Sequence, residues 1–260
     1  MDASPHLTGK FVWFEHVSAD MQKARAFYQP LFGWHVETMP RGERRYPMIL
    51  NGEAGIGSLR QASPGEPPHW ASYLSVPDVD ASFRAAVAAG ATPLHEPADV
   101  APSGRGGALR DPTGAAFWLW TSRNGDAPDP TDLPTGDFCW NELWTPNPEK
   151  ALAFYEAVFG YDRQTLSAGA ATGADYHQLK SPDGKARAGV LRLPGPQVPP
   201  MWLPYVAVAD CDATVQQARQ LGARDVPMPP TDIPQVGRIA VLIDPLGAGL
   251  AVIKPTPMAG

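Results

Sequence analysis

The chain has 260 residues, of which 43 % are hydrophobic and 18 % charged, a composition typical of a soluble globular protein with a sizeable core. Its formal net charge of −6 gives no electrostatic support to nucleic-acid binding. There is no run of 18 apolar residues and no apolar leader, so we expect a cytoplasmic protein that does not cross a membrane. Cys139 and Cys211 lie outside any paired motif, which argues against a disulfide scaffold.

An internal repeat dominates the sequence. Residues 11–34 read FVWFEHVSADMQKARAFYQPLFGW, and residues 138–161 read FCWNELWTPNPEKALAFYEAVFGY. A shift of 127 positions places Phe11, Trp13 and Glu15 on Phe138, Trp140 and Glu142. Matches at a fixed offset are the signature of a duplicated structural unit, so the chain is expected to contain two copies of one domain.

Each copy opens with a strand that runs into a helix. Residues 11–17 are aromatic and β-branched, as strands are. Asp20 and Asn147 stand at the positions of helix N-caps, and Gly33 and Gly160 stand where the helices should end. The first helix has apolar residues at i, i+3, i+4 and i+7, which form one face: Ala24, Phe27, Tyr28 and Leu31.

The remainder of each copy predicts a second unit of the same kind. Strands at 34–39, 45–50 and 54–61 complete one β-α-β-β-β unit, and a helix over 78–90 with strands at 106–111 and 115–121 indicates the next. The second copy repeats this half at a shift of 132 or 133. We therefore predict domains at 8–122 and 136–256, joined by a linker rich in Pro and Gly at 123–135.

Three motifs give the repeat a resemblance to a known family. They are D-x-x-x-A-x-x-F-Y-x-x-x-F-G on the first helix, V-x-D-x-D-A at the start of the second, and D-P-x-G-A before the last strand. This pattern resembles the vicinal oxygen chelate superfamily, which includes glyoxalase I, bleomycin-resistance proteins and extradiol dioxygenases. The resemblance extends over nearly the whole chain. It implies an α+β fold of two tandem glyoxalase-like domains, each a pair of β-α-β-β-β modules that form a cleft.

Enzymes of that superfamily bind a divalent metal through His or Glu side chains on three strands. Laid on this sequence, the three ligand positions are occupied by residues of other types: Trp13, Ala71 and Trp118 in the first copy, and Trp140, Leu203 and Ala251 in the second. Indole and aliphatic groups offer no lone pair to a metal ion. We therefore predict no cofactor, and we expect neither cleft to bind a divalent metal through these three positions; a divalent metal held by other residues stays open.

Residues two apart on a strand share a face, so the ligand positions also predict which other side chains line the clefts. Glu15 and Glu142 are the candidate catalytic residues. The candidate ligand-binding residues are aromatic residues and two arginines at a repeated Gly-Arg pair: Trp13, Tyr73, Trp118, Trp120, Trp140, Trp144, Tyr205, Arg105 and Arg238. The alternative is structural, with the tryptophans in the core and each glutamate paired with an arginine, Arg105 or Arg238. His16 lies on the opposite face of its strand from Trp13, and we expect it to be structural.

Two functions fit this predicted cleft. In the first, the protein binds a small organic molecule without metal, because aromatic rings attract planar or cationic ligands and a carboxylate neutralises positive charge. In the second, it is a lyase or a dioxygenase/hydroxylase in which Glu15 or Glu142 is the base and Tyr73 or Tyr205 the proton donor. The absent metal ligands favour the first function. The first cleft is the more aromatic, which favours it as the ligand site.

The sequence also predicts the partners. We expect a small-molecule ligand, no nucleic acid and no membrane. Because two copies in one chain can pack as two subunits would, a monomer or a homodimer is expected.

Overall fold

The computed structural model of the protein describes residues 5–41, 44–166 and 175–256. The first copy folds into these elements: β1 (Phe11–Ser18), α1 (Met21–Phe32), β2 (His35–Arg41), β3 (Arg44–Asn51), β4 (Ala54–Gln61), β5 (His69–Ser75), α2 (Val79–Ala88), β6 (Thr92–Val100), β7 (Gly104–Arg110) and β8 (Ala116–Ser122). The second copy folds into the equivalent set: β9 (Phe138–Thr145), α3 (Pro148–Phe159), β10 (Asp162–Leu166), β11 (Tyr176–Lys180), β12 (Ala186–Arg192), β13 (Met201–Ala207), α4 (Cys211–Gln220), β14 (Asp225–Ile233), β15 (Gly237–Ile243) and β16 (Gly249–Pro255).

Each copy contains two β-α-β-β-β modules, which confirms the predicted α+β architecture. The strands form two eight-stranded sheets with the same order, β2-β3-β4-β1-β5-β8-β7-β6 and β10-β11-β12-β9-β13-β16-β15-β14. The first strand of a module pairs in parallel with its last strand, as β1 does with β4 and β9 with β12. These parallel pairs place the candidate glutamates beside the final strand of their own module.

The helix boundaries agree with the caps predicted from the sequence. Asp20 accepts a hydrogen bond from the backbone N–H of Lys23 at the start of α1, and Asn147 does the same for Lys150 at α3. Gly33 ends α1 with a φ of 71°, a left-handed conformation that favours glycine. The predicted apolar face of α1 is buried.

The sequence did not predict the edge strands β6 and β14. They read TPLHEPADV and DVPMPPTDI, so each contains prolines that cannot donate to a ladder. Both strands pair only with one neighbour, β7 or β15, and lie at the end of a sheet, where prolines are tolerated. The prolines therefore mask the strand pattern in the sequence. They are tolerated in these two strands because neither strand is central in its sheet.

The chain packs into two compact units, each of which draws on both copies. The first unit comprises residues up to 13, 71–129 and 140–202, and the second comprises 14–70, 130–139 and residues from 203 onward. In the first unit α2 packs against α3, and in the second α1 packs against α4. The core of the first unit contains Leu74, Phe83, Leu109, Phe117, Leu143, Leu152, Phe154, Phe159, Leu179 and Trp202. The buried hydrophobic residues of the second include Phe14, Val17, Phe27, Trp34, Ile49, Trp70, Val206 and Leu242.

A buried polar network joins the two copies inside the first unit. Asp111, from the D-P-x-G-A motif, accepts a 3.0 Å hydrogen bond from the hydroxyl of Tyr155, which in turn accepts one of 2.9 Å from the indole of Trp202. The other carboxylate oxygen of Asp111 accepts from the backbone N–H groups of its own turn, including Gly114 and Ala115. The motif therefore both shapes a turn and holds the helix of the other copy.

The second unit contains the same network with one additional residue. Asp244 accepts from the hydroxyl of Tyr28 at 3.0 Å, and Tyr28 accepts from the indole of Trp70. His16, which is fully buried, lies 2.8 Å from the same carboxylate oxygen. The predicted structural role of His16 is thus confirmed. At the shift of 127 positions His16 matches Leu143, a fully buried apolar side chain that has no group to bond the aspartate of the first unit.

The linker carries two anchored aspartates. Residues 123–137 form neither helix nor strand. Asp126 accepts hydrogen bonds from the backbone of Leu7 and the hydroxyl of Ser75, and Asp129 forms ion pairs with Lys10, Lys185 and Arg187. Although partial burial opposes ionisation, these cations hold the pKa of Asp129 well below its usual range. Up to Asp129 the linker is therefore bound to the first unit.

None of the four helices in the described parts of the chain is long and apolar enough to cross a membrane.

Both cysteines are free, as predicted, and burial raises the pKa of the Cys139 thiol to about 12.

Candidate functional site

The most enclosed of the candidate carboxylates is Glu142, on β9 in the first unit. One of its oxygens accepts a 2.9 Å hydrogen bond from the hydroxyl of Tyr176, and the other accepts a 3.2 Å bond from the indole of Trp144. The indole of Trp140 donates to the same Tyr176 hydroxyl at 2.9 Å. Glu142 is only 8 % exposed, whereas the two tryptophans are half-buried. We call these four residues the Glu142 site.

A glycine makes room for Tyr176. Glu142 is in register with Gly189 on β12, and a Cβ atom added to Gly189 would lie 2.0 Å from the Tyr176 hydroxyl oxygen. That distance is far below van der Waals contact, so any side chain at this position would displace the tyrosine. The absence of a side chain at Gly189 is therefore what lets the phenol reach the carboxylate.

The Glu142 site keeps Tyr176 protonated. Burial raises the pKa of Tyr176 well above 10, and the neighbouring Glu142 carboxylate raises it further. Near neutral pH the phenol is therefore a hydrogen-bond donor to Glu142.

The matching carboxylate of the first copy, Glu15 on β1, lies in the second unit and has different neighbours. It accepts a 2.9 Å hydrogen bond from the guanidinium of Arg60 and a 3.1 Å bond from the hydroxyl of Ser58. Arg60 in turn makes two hydrogen bonds, of 2.7 and 3.0 Å, to the carboxylate of Glu66. We call these four residues the Glu15 cluster.

The Glu15 cluster is an ion network. The hydrogen bond from Arg60 lowers the pKa of Glu66 to about 2 against the effect of partial burial. Burial tends to lower the pKa of Arg60, but Glu66 and Glu15 together raise it well above its ordinary value. Arg60 is therefore a permanent cation held between two carboxylates.

The strand register explains why the two carboxylates differ. On β4, Ser58 is in register with Glu15 and Arg60 follows two residues later; on β12, the corresponding positions are Gly189 and Leu191. The two arginines of β12 have other partners. Arg187 forms ion pairs with Asp129 and Asp183, and Arg192 donates a hydrogen bond to the carbonyl of Pro146. The second copy thus places leucine where the first places the counterion of its glutamate.

A third aromatic group lies on β5 and β8 in the first unit. Tyr73 is in register with Trp118, their ring centroids are 5.8 Å apart, and Trp120 lies edge-on to Tyr73 at 6.4 Å. The ring of Trp120 lies against Gly104 and Gly106 of β7, where an added Cβ would approach it to 2.9 and 3.0 Å. These contacts confirm that the three residues share a face, as strand parity predicted. Trp118 is 9 % exposed, so it belongs to the core.

The other two aromatic candidates are also on the predicted strands. Trp13 is half-buried on β1, and Tyr205 is buried on β13 with its backbone carbonyl 3.5 Å from the thiol of Cys139. Their role as ligand contacts stays a prediction.

Arg105 and Arg238 pair with aspartates and not with the candidate glutamates. Arg105 forms ion pairs with Asp80 and Asp99, and Arg238 forms them with Asp212 and Asp232. The alternative in which these arginines pair with the glutamates is not found, because aspartates at the start of α2 and α4 and on the edge strands bind them. Whether either arginine contacts a ligand remains a prediction.

The residues at the family's metal positions do not fit a metal ion. Ala71, Leu203 and Ala251 are buried aliphatic side chains, and the indole N–H of Trp140 is already a donor to Tyr176. Among the described residues, no three His, Cys, Asp or Glu side chains are grouped so that they could hold a metal.

Sequence reasoning missed the residues that distinguish the two carboxylates: Tyr176, Gly189, Ser58, Arg60 and Glu66. The signal was the parallel pairing of the first and last strands of a module, which would have placed β4 and β12 beside the glutamates. The offset between the copies changes from 127 to 131 across these strands, so the repeat alone did not align Arg60 with Leu191.

Comparisons with known proteins agree with the fold. Residues 10–119 match the family model described as Glyoxalase/Bleomycin resistance protein/Dioxygenase superfamily, and residues 138–253 match a Glyoxalase-like domain. The chain is 40 % identical over 251 residues to a Mycobacterium tuberculosis protein named "Putative glyoxylase CFP32", with 94 % of each chain covered. It is 31 % identical over 263 residues to the anthracycline biosynthesis protein DnrV of Streptomyces peucetius, covering 95 % of this chain and 93 % of the relative.

Solved structures share the fold at low identity. A Mn(II)-bound glyoxalase from Novosphingobium aromaticivorans superimposes with a TM-score of 0.60 at 19 % identity, covering 96 % of this chain and 89 % of that one. A 2,2',3-trihydroxybiphenyl 1,2-dioxygenase from Sphingomonas wittichii gives 0.64 at 14 % identity, covering 95 % and 90 %. With both copies matched and a relative at 40 % identity over nearly its whole length, the chain belongs to the glyoxalase/bleomycin resistance protein/dioxygenase superfamily, as a tandem two-domain member.

Proposed function

We propose that the protein binds a small planar organic molecule against its half-buried aromatic side chains, without using the family's metal. The observation that supports this most is the Glu142 site, where a nearly buried carboxylate lies between two half-buried tryptophans and a tyrosine. Indole faces stack on planar ligands, and each such contact contributes about 0.5–1.5 kcal/mol beyond the area buried.

The residues at the metal positions support a function without metal chemistry. The indole of Trp140 stands where the family resemblance would require a metal ligand, and it serves as a hydrogen-bond donor instead. The relatives add a ligand class to the proposal. One is named for anthracycline biosynthesis, and anthracyclines are planar polycyclic molecules of the kind that tryptophan faces bind.

The hydrogen bond between Tyr176 and Glu142 favours a second candidate function. The carboxylate beside a phenol that stays protonated pairs a candidate base with a hydrogen-bond donor, as a lyase or oxygenase of this superfamily would require. In that case Glu142 takes a proton from the substrate and Tyr176 donates to a developing oxyanion. Glu15 is the weaker candidate for the base, since Arg60 holds it as an ion pair.

A thermal-shift screen tests the proposal. Purified protein, treated with a chelator, is melted with a panel of planar polycyclic ligands that includes an anthracycline, and then again with Mn²⁺ or Zn²⁺. A ligand at a hundred times its dissociation constant stabilises the folded state by about 2.7 kcal/mol, so a binder raises the melting temperature measurably. We expect stabilisation that the chelator does not remove.

Stabilisation by the metal alone, or by ligands only in its presence, would contradict the proposal. Conversion of a bound ligand to product by the chelator-treated protein, with loss of turnover in Glu142→Gln, would establish the second function instead.

A further inference from the structure

We propose that Trp120 and Tyr73 form a second binding subsite of the first unit, one that takes a flat aromatic ring system by stacking. We call this subsite, together with the two glycines under the indole, the Trp120 platform: Trp120, Tyr73, Gly104 and Gly106. The inference rests on the proposed function and adds a place to it. The platform lies on β5, β7 and β8 of one sheet, whereas the Glu142 site lies on β9 and β11 of the other. We therefore expect the two to bind separate ligand molecules.

The indole of Trp120 lies on the backbone of β7. Gly106 is the cross-strand partner of Trp120, and a Cβ atom added to it would lie 3.0 Å from Cε3 of the indole. A Cβ atom added to Gly104 would lie 2.9 Å from Cζ2, at the opposite corner of the same six-membered ring. The ring therefore fills the space that two side chains of β7 would occupy. Two glycines on one strand thus make room for a flat aromatic surface.

Tyr73 stands beside this surface at nearly a right angle. The ring centroids of Tyr73 and Trp120 are 6.4 Å apart, and the two ring planes make an angle of 82°. Trp120 is half-buried, so part of its indole stays within reach of a ligand. A ring system stacked on Trp120 would meet Tyr73 at a steep angle. Stacked and edge-to-face contacts are the two geometries that aromatic pairs prefer, so one flat ligand gains both.

The second copy shows how the same position is filled when it only packs. There the cross-strand pair is Ile239 and Ile253, in place of Gly106 and Trp120. The two isoleucines are 9 % and 8 % exposed, so they close this part of the sheet with aliphatic side chains. Packing at this register therefore does not require the pair of a glycine and a tryptophan. The first copy has instead a large aromatic ring that stays partly exposed, as a ligand contact requires.

The test uses acridone, an uncharged planar tricycle, as the probe. Equilibrium dialysis of the full chain measures how many acridone molecules are bound per chain at saturation. We expect two for the wild type, one at the Glu142 site and one at the Trp120 platform. Crystals soaked with a bromine-substituted acridone locate both molecules, because the anomalous signal of bromine marks each ring system. One bromine peak is expected beside Trp120.

The decisive variant gives the platform the residues of the second copy. Gly106→Ile combined with Trp120→Ile creates a pair that already packs at this register between β15 and β16, so we expect the chain to fold. Loss of a stacked aromatic ring weakens binding by about tenfold or more, so the variant should bind one acridone at concentrations that saturate the wild type. Trp120→Leu, which keeps the glycines, is the second variant and should show the same loss. The control, Ile239→Val in the second copy, should still bind two.

The structural alternative is that Trp120 only shields the glycines opposite it, as aromatic side chains in sheets can do. In that case the variants change the melting temperature followed by circular dichroism but still bind two acridone molecules, a result that would overturn the subsite. A single acridone in the wild type, located at the Glu142 site, would also overturn the subsite and leave the proposed function intact. Failure of the wild type to bind acridone or any member of the thermal-shift panel would overturn both.

Discussion

The two copies are alike in their buried Asp–Tyr–Trp networks and differ in the residues that surround the repeated glutamates. The Asp–Tyr–Trp network has the same geometry in both units, with Tyr–Asp distances of 3.0 Å and Trp–Tyr distances of 2.9 and 3.0 Å. The glutamates of the repeat, in contrast, have an arginine and a serine in one copy and a tyrosine and a tryptophan in the other. The residues that form the buried networks have thus stayed alike in the two copies, while the residues around the repeated glutamates have changed.

Removal of an aspartate from the network should have the largest effect. Asp244→Ala leaves Tyr28, His16 and three turn N–H groups without their acceptor, so we expect a loss of about 3–5 kcal/mol in the free energy of unfolding. Urea unfolding followed by circular dichroism measures it. The control is Asp232→Ala, whose carboxylate is 80 % exposed in its pair with Arg238. A loss below about 1 kcal/mol for Asp244→Ala would show that the network is dispensable.

Exchange of the residues beside the glutamates should come next. Gly189→Ser introduces the first-copy residue at a position where its Cβ would lie 2.0 Å from the Tyr176 hydroxyl, so Tyr176 must move. We expect a destabilisation of about 2–3 kcal/mol, typical of overpacking, and a changed tryptophan emission because Trp140 loses its acceptor. The reciprocal Ser58→Gly should cost about 1 kcal/mol, since it removes one hydrogen bond. Equal effects would mean that the two environments are not distinct.

The tyrosines of the two networks should be equivalent. Tyr28→Phe and Tyr155→Phe each remove one hydroxyl that both donates and accepts, and each should cost about 1–2 kcal/mol. Because the hydroxyls lie in separate compact units, the double variant should lose the sum of the two. Chemical denaturation of the three variants gives the coupling energy. A coupling above about 0.5 kcal/mol would contradict their independence.

The smallest effect concerns the acid stability that Glu66 contributes. The pKa of Glu66 is lowered to about 2 by Arg60, so its stabilisation is complete above its unfolded-state pKa and is lost as the pH falls toward 2. With the carboxylate 20 % exposed, we expect a loss of about 1 kcal/mol between pH 5 and 2. Glu66→Gln should remove this part of the pH dependence, and an unchanged profile in the variant would contradict the ion network.

The sequence predicted the fold in detail because its signals are local and occur twice. Caps at Asp20 and Asn147, the apolar face of α1 and the repeated motifs each depend on residues within one element. The two edge strands escaped because proline masks the strand pattern. The contacts between elements of different copies were not predicted either. Nothing local in the sequence couples Asp111 to Tyr155, which is 44 residues away.

The candidate site was predictable only in part for the same reason. Strand parity correctly grouped Tyr73 with the two tryptophans of β8 and Glu142 with Trp144. Whether a glutamate has a counterion depends on the residues of the neighbouring strand. The register of that strand cannot be derived from the position of the glutamate in the sequence. Arg60 is located by the pairing of β4 with β1, and Tyr176 lies one strand further from Glu142, on β11, which pairs with β12.

The most direct test is a crystal structure of the chelator-treated protein with a planar polycyclic ligand from the thermal-shift panel bound. We predict that the ring system of the ligand lies against Trp140 or Trp144. A ligand bound only away from both tryptophans, or binding only after a divalent metal is restored, would contradict the proposed function.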